Sequence, residues 1–226
     1  MPILVMVLLL ALGCAMDKEN DQHTQQVHNH LIPEPSGKTL VYDCLVEWDI
    51  VLKADTGDAW LMLPDTTVHL PRVRSASGAR FVSPEGDYMY WSKGDDAIIE
   101  INNKSYGYCD IDREEAVWQD ARLRGAHFRA MGNEPGWYLE IFPDSIAYVL
   151  NYGDRVLSTG TPDPVVFPDK GITVYSPGDP DYDISIEIAD KSCRVASGKE
   201  LPSTVTLTID GQLYRGCGRM LQHRQL

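Results

Sequence analysis

Between residues 41 and 53 apolar and polar side chains alternate. Tyr42, Cys44, Val46, Trp48, Ile50 and Leu52 fall on one face and Asp43, Glu47, Asp49 and Lys53 on the other, with Leu45 and Val51 as interruptions. A period of two predicts one half-buried strand over this stretch. Shorter strand patterns follow at 59–63 and 66–70 on either side of Pro64-Asp65. Residues 79–83 and 88–91 flank Pro84-Glu85-Gly86-Asp87, and 97–101 and 105–109 flank Asn102-Asn103-Lys104. Many short strands separated by turn residues, with no long helix among them, predict a small antiparallel barrel or sandwich.

The period changes at 112–124. Asp112 with Glu115 has the spacing of a capping box, Val117, Trp118 and Ala121 can share a helical face, and Gly125 ends the run, so one helix is expected here. Strand patterns resume at 128–131, 137–142, 146–152, 184–188, 205–209 and 213–217. The stretch 158–181, dense in Pro, Gly and Asp, reads as a loop region. The fold class expected is all-β: a small N-terminal antiparallel β-barrel over 39–111, a linking helix over 112–125, and a second mainly β domain over 126–226.

The N-terminus is different again. An apolar run over residues 3–12 is too short to cross a bilayer as a helix and reads as the core of a signal peptide. Ala11-Leu12-Gly13-Cys14 resembles a bacterial lipobox, which makes Cys14 the expected lipidation site and 1–14 the removed leader. Residues 1–12 carry no Lys or Arg, unlike an ordinary cationic signal start, and an alternative is a plain signal peptide cut near Gly13 or Ala15. Residues 15–38 are polar, with His23, His28, His30, Pro33 and Pro35 and little to bury, and read as a disordered tether.

Setting Cys14 aside leaves Cys44, Cys109, Cys193 and Cys217, which formally allow three connectivities. Cys44 and Cys109 bracket the first block of strands and Cys193 and Cys217 lie in the second. One disulfide within each block would staple each small core. A zinc site is the rival, but none of the four forms a CxxC pair and no His lies near them at ligand spacing. No metal and no cofactor are expected. The 20 basic and 33 acidic residues give a net charge of -13, which disfavours nucleic acid and anionic lipid and favours a basic partner.

The chain has no HExxH, GxSxG or GxxxxGK[ST] motif and, once both bridges form, no spare cysteine nucleophile. Catalysis is therefore not expected in the first block. In the second, His127, Glu134 and Asp144 are candidates only if the fold gathers them. The stronger feature is a pair of loops, Ser75-Ala76-Ser77-Gly78-Ala79-Arg80-Phe81 and Trp91-Ser92-Lys93-Gly94-Asp95-Asp96-Ala97. Small residues keep the first slim and Gly94 allows a tight turn after a cation, so the two suit entry into a narrow cleft. From the residues alone, simple turn chemistry is the favoured account of Ser75 to Gly78 and of Lys93-Gly94.

These loops, together with Tyr42-Asp43-Cys44, Ala59, Leu61-Leu63 and Tyr108-Cys109, resemble the family of membrane-bound inhibitors of c-type lysozyme. The departures are Asp96, where the family commonly has Glu or a neutral residue, and a slightly long 82–90 hairpin. The resemblance implies a small antiparallel barrel with one disulfide, often on a lipoprotein, that binds c-type lysozyme. It implies that Ser77, or else Ser75, and Lys93 enter the lysozyme cleft and contact its two catalytic carboxylates, with Gly78, Arg80 and Gly94 shaping the same surface. It further implies a bacterial envelope setting, as an outer-membrane lipoprotein facing the periplasm or a protein secreted there, protecting peptidoglycan from host lysozyme.

The second half resembles another bacterial lipoprotein domain of unknown function through Phe128-Arg129-Ala130-Met131-Gly132-Asn133-Glu134-Pro135-Gly136-Trp137 and Gly216-Cys217-Gly218-Arg219. The run 133–137 reads as a tight turn with Pro135-Gly136 at its corner. The alternative to inhibition is an envelope binding or assembly lipoprotein whose second domain carries the main activity.

Overall fold

The structure, a computed structural model, describes residues 35–44 and 48–221. The expected leader, Cys14 and most of the expected tether lie outside the described residues, as do Leu45, Val46 and Glu47 within the first strand pattern.

Eight strands form a closed barrel in chain order: β1 (Lys38–Asp43), β2 (Ile50–Ala54), β3 (Asp58–Met62), β4 (Thr67–Val73), β5 (Ala79–Val82), β6 (Met89–Lys93), β7 (Asp96–Ile101) and β8 (Lys104–Ile111). Every neighbour is antiparallel, and β1 closes on β8 through Tyr42 opposite Ile111 and Asp43 opposite Asp110. Alternation explains the filling. Tyr42, Leu52, Leu61, Leu70, Phe81, Tyr90 and Ile99 point inward and are fully or almost fully buried. At the centre Phe81 stacks on Tyr90, and the Tyr42 and Tyr90 hydroxyls share a hydrogen bond of 2.9 Å.

The single strand expected over 41–53 is in fact two, folded back so that Tyr42 faces Ile50 and Val41 faces Val51. Alternation does not register the break because Tyr42 and Ile50 lie an even number of positions apart, so both keep their inward parity. The interrupting Val51 has its own explanation. With Val41, Trp60 and Met62 it forms a buried patch on the outside of the barrel, against which Ala116 and Leu123 of the helix pack.

That helix, α1 (Arg113–Leu123), starts at Asp112, whose side chain accepts from the Glu115 amide at 2.8 Å. The capping box is not reciprocal, because the Glu115 carboxylate turns away to Arg219, Lys199 and Gln119. Trp118 and Ala121 are buried as expected, but Val117 is 39% exposed. The helix lies between two sheets, and Val117 lines an open pocket between them with Leu40 and Ile111 of the barrel and Tyr138 of the second sheet.

Beyond it, β9 (Phe128–Asn133), β10 (Gly136–Ile141), β11 (Ser145–Leu150), β12 (Arg155–Gly160), β13 (Val165–Phe167), β14 (Ile172–Tyr175), β15 (Ile184–Ala189), β18 (Ser203–Ile209) and β19 (Gln212–Met220) form a nine-stranded antiparallel sheet. Its order is β12-β11-β10-β9-β19-β18-β15-β14-β13. A separate pair, β16 (Cys193–Arg194) with β17 (Glu200–Leu201), sits against β19. The expected loop region 158–181 thus contains the end of β12 and all of β13 and β14. These strands lie at or beside the sheet edges, where Val165, Val166 and Phe167 remain exposed, so no alternation marks them.

The distinctive glycines of the second half serve packing. A Cβ at Gly132 or Gly216 would overlap the indole of Trp137 and the neighbouring backbone, and Trp137 Nε1 donates to the Arg215 carbonyl at 3.2 Å. The turn corner is Glu134-Pro135, with a cis peptide bond, and Gly136 already belongs to β10, one residue earlier than expected. The disulfides are Cys44–Cys109 in the barrel and Cys193–Cys217 in the second half, so each block holds one bridge.

Candidate functional site

The two loops singled out by sequence meet at one end of the barrel. The first joins β4 to β5 and the second is the two-residue turn Gly94-Asp95 between β6 and β7, where Lys93 faces Asp96. Because β5 pairs with β6, with Ala79 opposite Ser92, the loops are neighbours in space. Their contact is specific: the Trp91 indole Nε1 donates to the Ser77 carbonyl at 2.9 Å. Gly78 has φ +69° and no room for a Cβ against the Ser92 carbonyl, so only glycine lets this loop lie so close to β6.

The hydroxyls in the first loop differ. Ser75 Oγ donates to the Gly78 carbonyl at 3.0 Å and closes the loop on itself. Among the described residues no hydrogen bond engages Ser77 Oγ, and no ion pair or hydrogen bond engages Lys93 Nζ. Ser77 and Lys93 both line a pocket of about 240 Å³ with Trp91, Asp96, Ile98 and Tyr108. Gly94, with φ +65°, makes the turn beside it. Arg80 stands apart, outside the lining of this pocket, with its Nε against the Met89 sulfur at 3.2 Å. The backbone thus brings Ser77, Gly78, Lys93 and Gly94 together, spends the Ser75 hydroxyl internally, and sets Arg80 directly opposite Trp91 on β5, on the same outer face but outside the pocket.

Trp91 and Tyr108 were not among the residues singled out as contacts. Their signal is parity: Tyr90 and Cys109 point into the barrel, so Trp91 and Tyr108 point out, and Tyr108 is 82% exposed.

A second cavity, about 410 Å³, opens beside the helix between Trp48, Asp49, Trp118 and Arg219. Its chemistry is structural. Burial alone would raise the Glu115 carboxyl, but a hydrogen bond and the charge of Arg219, with hydrogen bonds from Lys199 and Gln119, carry it below the ordinary range and hold it ionised. Burial and the charge of Glu115 push Asp49 the other way. Arg219 lies over the Trp118 ring at 4.8 Å while pairing with Glu115. The enzymatic candidates do not converge. His127 and Asp144 lie at one end of the β9–β10 hairpin and Glu134 at the other, six residues or about 20 Å away. Among the described residues no group of His, Cys, Asp or Glu has a metal-binding arrangement, and no helix is long and apolar enough to cross a membrane.

No curated protein and no solved structure matches the chain at a significant level. A family model does match, over residues 42–106, from the inward Tyr42 of β1 into β8 and including both loops. This segment, the greater part of the barrel, matches the family described as membrane-bound lysozyme-inhibitor of c-type lysozyme.

Proposed function

We propose that this protein is an inhibitor of c-type lysozyme and that the barrel end carrying Ser77 and Lys93 enters the lysozyme cleft. The observation that supports this best is the meeting of the two loops at one barrel end, inside the segment that matches the inhibitor family. A glycoside hydrolase holds one protonated and one ionised carboxyl across the scissile bond. An unpaired ammonium inserted there neutralises the charge, a free hydroxyl bonds its neighbour, and the sugar is excluded. Ser77, whose hydroxyl is uncommitted, suits this role better than Ser75. The acidic chain, at -13, would be drawn to a basic enzyme, with an association rate that falls as salt rises.

In this reading the protein is not an enzyme, Cys14 carries a lipid anchor, and the barrel works in the bacterial envelope, on an outer-membrane lipoprotein facing the periplasm. The barrel (39–111) and the second β-rich half (126–226) are two domains joined by a linking helix (112–125) that packs on both.

The deciding experiment mixes the purified full chain with a c-type lysozyme and follows lysis of a cell-wall suspension. Inhibition with a stoichiometric end point supports the proposal. Undiminished lysis at a large excess of the chain overturns it. Incorporation of labelled fatty acid, lost in Cys14→Ser, tests the anchor separately.

A further inference from the structure

Beside Lys93 the outer face of the barrel carries a row of three side chains across three adjacent strands. Trp91 on β6 lies opposite Ile98 on β7, and Ile98 lies opposite Tyr108 on β8. Residues directly opposite on neighbouring strands share a face, so Ile98 is the floor and the two aromatic side chains are the walls. With strands about 4.8 Å apart, the walls stand about 10 Å from one another, room for one planar group with a ring on either side. Trp91 is a fixed wall because its indole is bonded to the Ser77 carbonyl.

The adjoining row on the same face is Lys93, Asp96 and Asp110, in register across the same strands. Asp96 lines the pocket, and among the described residues no ion pair or hydrogen bond engages its carboxylate, even though Lys93 faces it across the turn. The slot therefore combines two aromatic faces, an aliphatic floor and an uncommitted carboxylate at its mouth.

We propose that the slot between Trp91 and Tyr108 is an arginine pocket, receiving a guanidinium from a basic partner protein, with Asp96 as its counter-charge. Guanidinium is planar, weakly hydrated and always charged, and it stacks on aromatic faces while its edge pairs with a carboxylate. Lysine lacks the plane, and an uncharged aliphatic side chain leaves Asp96 desolvated without a partner. The charge of -13 selects for a cationic partner over an anionic one. This inference rests on the inhibitor reading for the identity of the partner, and it adds a contact outside the catalytic cleft. Lys93 and Ser77 would stop catalysis while the slot grips the enzyme's rim.

Two experiments separate the pocket from the inhibitor reading. In the first, the full chain and its Tyr108→Ala, Tyr108→Phe and Asp96→Asn variants are titrated against a c-type lysozyme. Tyr108 and Asp96 are both exposed on the outer face of the barrel, so folding should be unaffected. Tyr108→Ala and Asp96→Asn should each weaken inhibition roughly ten-fold, while Tyr108→Phe, which keeps the aromatic face, stays near wild type. If the wild type inhibits and all three variants inhibit equally well, the pocket is wrong and the inhibitor reading stands.

In the second, the Trp91 indole N–H resonance, assigned from a Trp91→Phe spectrum, is followed as N-acetylarginine methylamide, N-acetylnorleucine methylamide or chitotriose is added. A shift with the arginine compound that is lost in Asp96→Asn supports the pocket. If the wild type fails to inhibit lysozyme but this shift is seen, the inhibitor reading falls and the pocket belongs to a different basic protein. A failure to inhibit together with no arginine-dependent shift overturns both. A shift with chitotriose instead makes the slot a glycan platform and overturns the arginine assignment.

Discussion

Arg124, at the end of the helix, grips Glu140 on β10 with two parallel hydrogen bonds, Nη1 to Oε2 at 2.7 Å and Nη2 to Oε1 at 2.8 Å. The same guanidinium holds Asp120 through Nε at 2.9 Å, and Asp120 accepts from Thr39 on β1 at 2.7 Å. A continuous polar chain therefore runs from the first barrel strand, through the helix, to the second sheet. On the opposite helix flank Glu115 reaches Lys199 and Arg219. The helix is clamped from both sides, and its apolar residues divide likewise, with Ala116 and Leu123 toward the barrel and Trp118 and Ala121 toward the sheet.

Glu140 is 2% exposed and also pairs with the buried Arg129, which lies over the Tyr138 ring at 4.2 Å. Glu140→Ala leaves Arg129 buried without a counter-charge and should cost about 3–5 kcal/mol. Arg124→Ala should cost less, about 1–2 kcal/mol, because Arg129 still neutralises Glu140 and Arg124 is partly solvated. Urea unfolding of the two variants reads this order directly; equal losses would contradict it.

The helix also decides where the barrel can be cut. A fragment ending at Asp112 uncovers Val41, Val51, Trp60 and Met62 and should be expanded or aggregating, with raised dye binding. One ending at Gly125 keeps that patch covered and should give a dispersed amide spectrum. It should also retain inhibition of lysozyme, since both loops lie within it. Inhibition that requires residues beyond Gly125 would assign part of the inhibitory surface to the second half.

For the two loops, Lys93→Ala should cost about 2–5 kcal/mol of lysozyme binding if its ammonium sits between cleft carboxylates, because those charges lose their partner in a water-poor site. Ser77→Ala should cost about 0.5–1.5 kcal/mol, the range for a neutral hydrogen bond. Ser75→Ala acts only through the loop closure onto Gly78 and should cost least. Near wild-type inhibition by Lys93→Ala at both low and moderate salt would exclude cleft insertion.

Acid should loosen the clamp. Glu115 and Asp120 both titrate below their ordinary values: burial opposes this, and bonding to Arg219 in one case and to Arg124 and Thr39 in the other overcomes it. A depressed folded pKa gives stability that is full above the unfolded values, about 4.3 for Glu and about 3.9 for Asp, and is lost as pH falls through the folded ones. Urea midpoints should hold between pH 7 and 5 and fall below about pH 4. Glu115→Gln should lower the midpoint at neutral pH and narrow its gap to wild type in acid. A constant gap would show that the ionised form is not what stabilises the fold.

Much of this was legible in the chain. Period-two alternation marked the inward face over residues 41–53, because a strand with one wet face must place its apolar residues at every second position, as Tyr42, Ile50 and Leu52 do, and turn residues set off the other short strands of the barrel. Asp112 and Gly125 marked the helix ends through cap chemistry, which is local. The block placement of the cysteines pointed to the bridges observed, and the two loops stood out by their small residues and lone lysine.

Other features required tertiary structure. Alternation preserves parity through a reversal, so only the pairing of Tyr42 with Ile50 shows that β1 and β2 are a hairpin. The exposed edge strand Val165–Phe167 has no dry side to impose a pattern, and neither face of Val117 could be assigned before the two sheets were placed around the helix. The clamp joins Thr39 to Asp120 and Arg219 to Glu115, residues 81 and 104 positions apart, and no local propensity encodes such partners. The same holds for the slot. Trp91, Ile98 and Tyr108 become neighbours through strand register, which is set by how the whole barrel closes over its core.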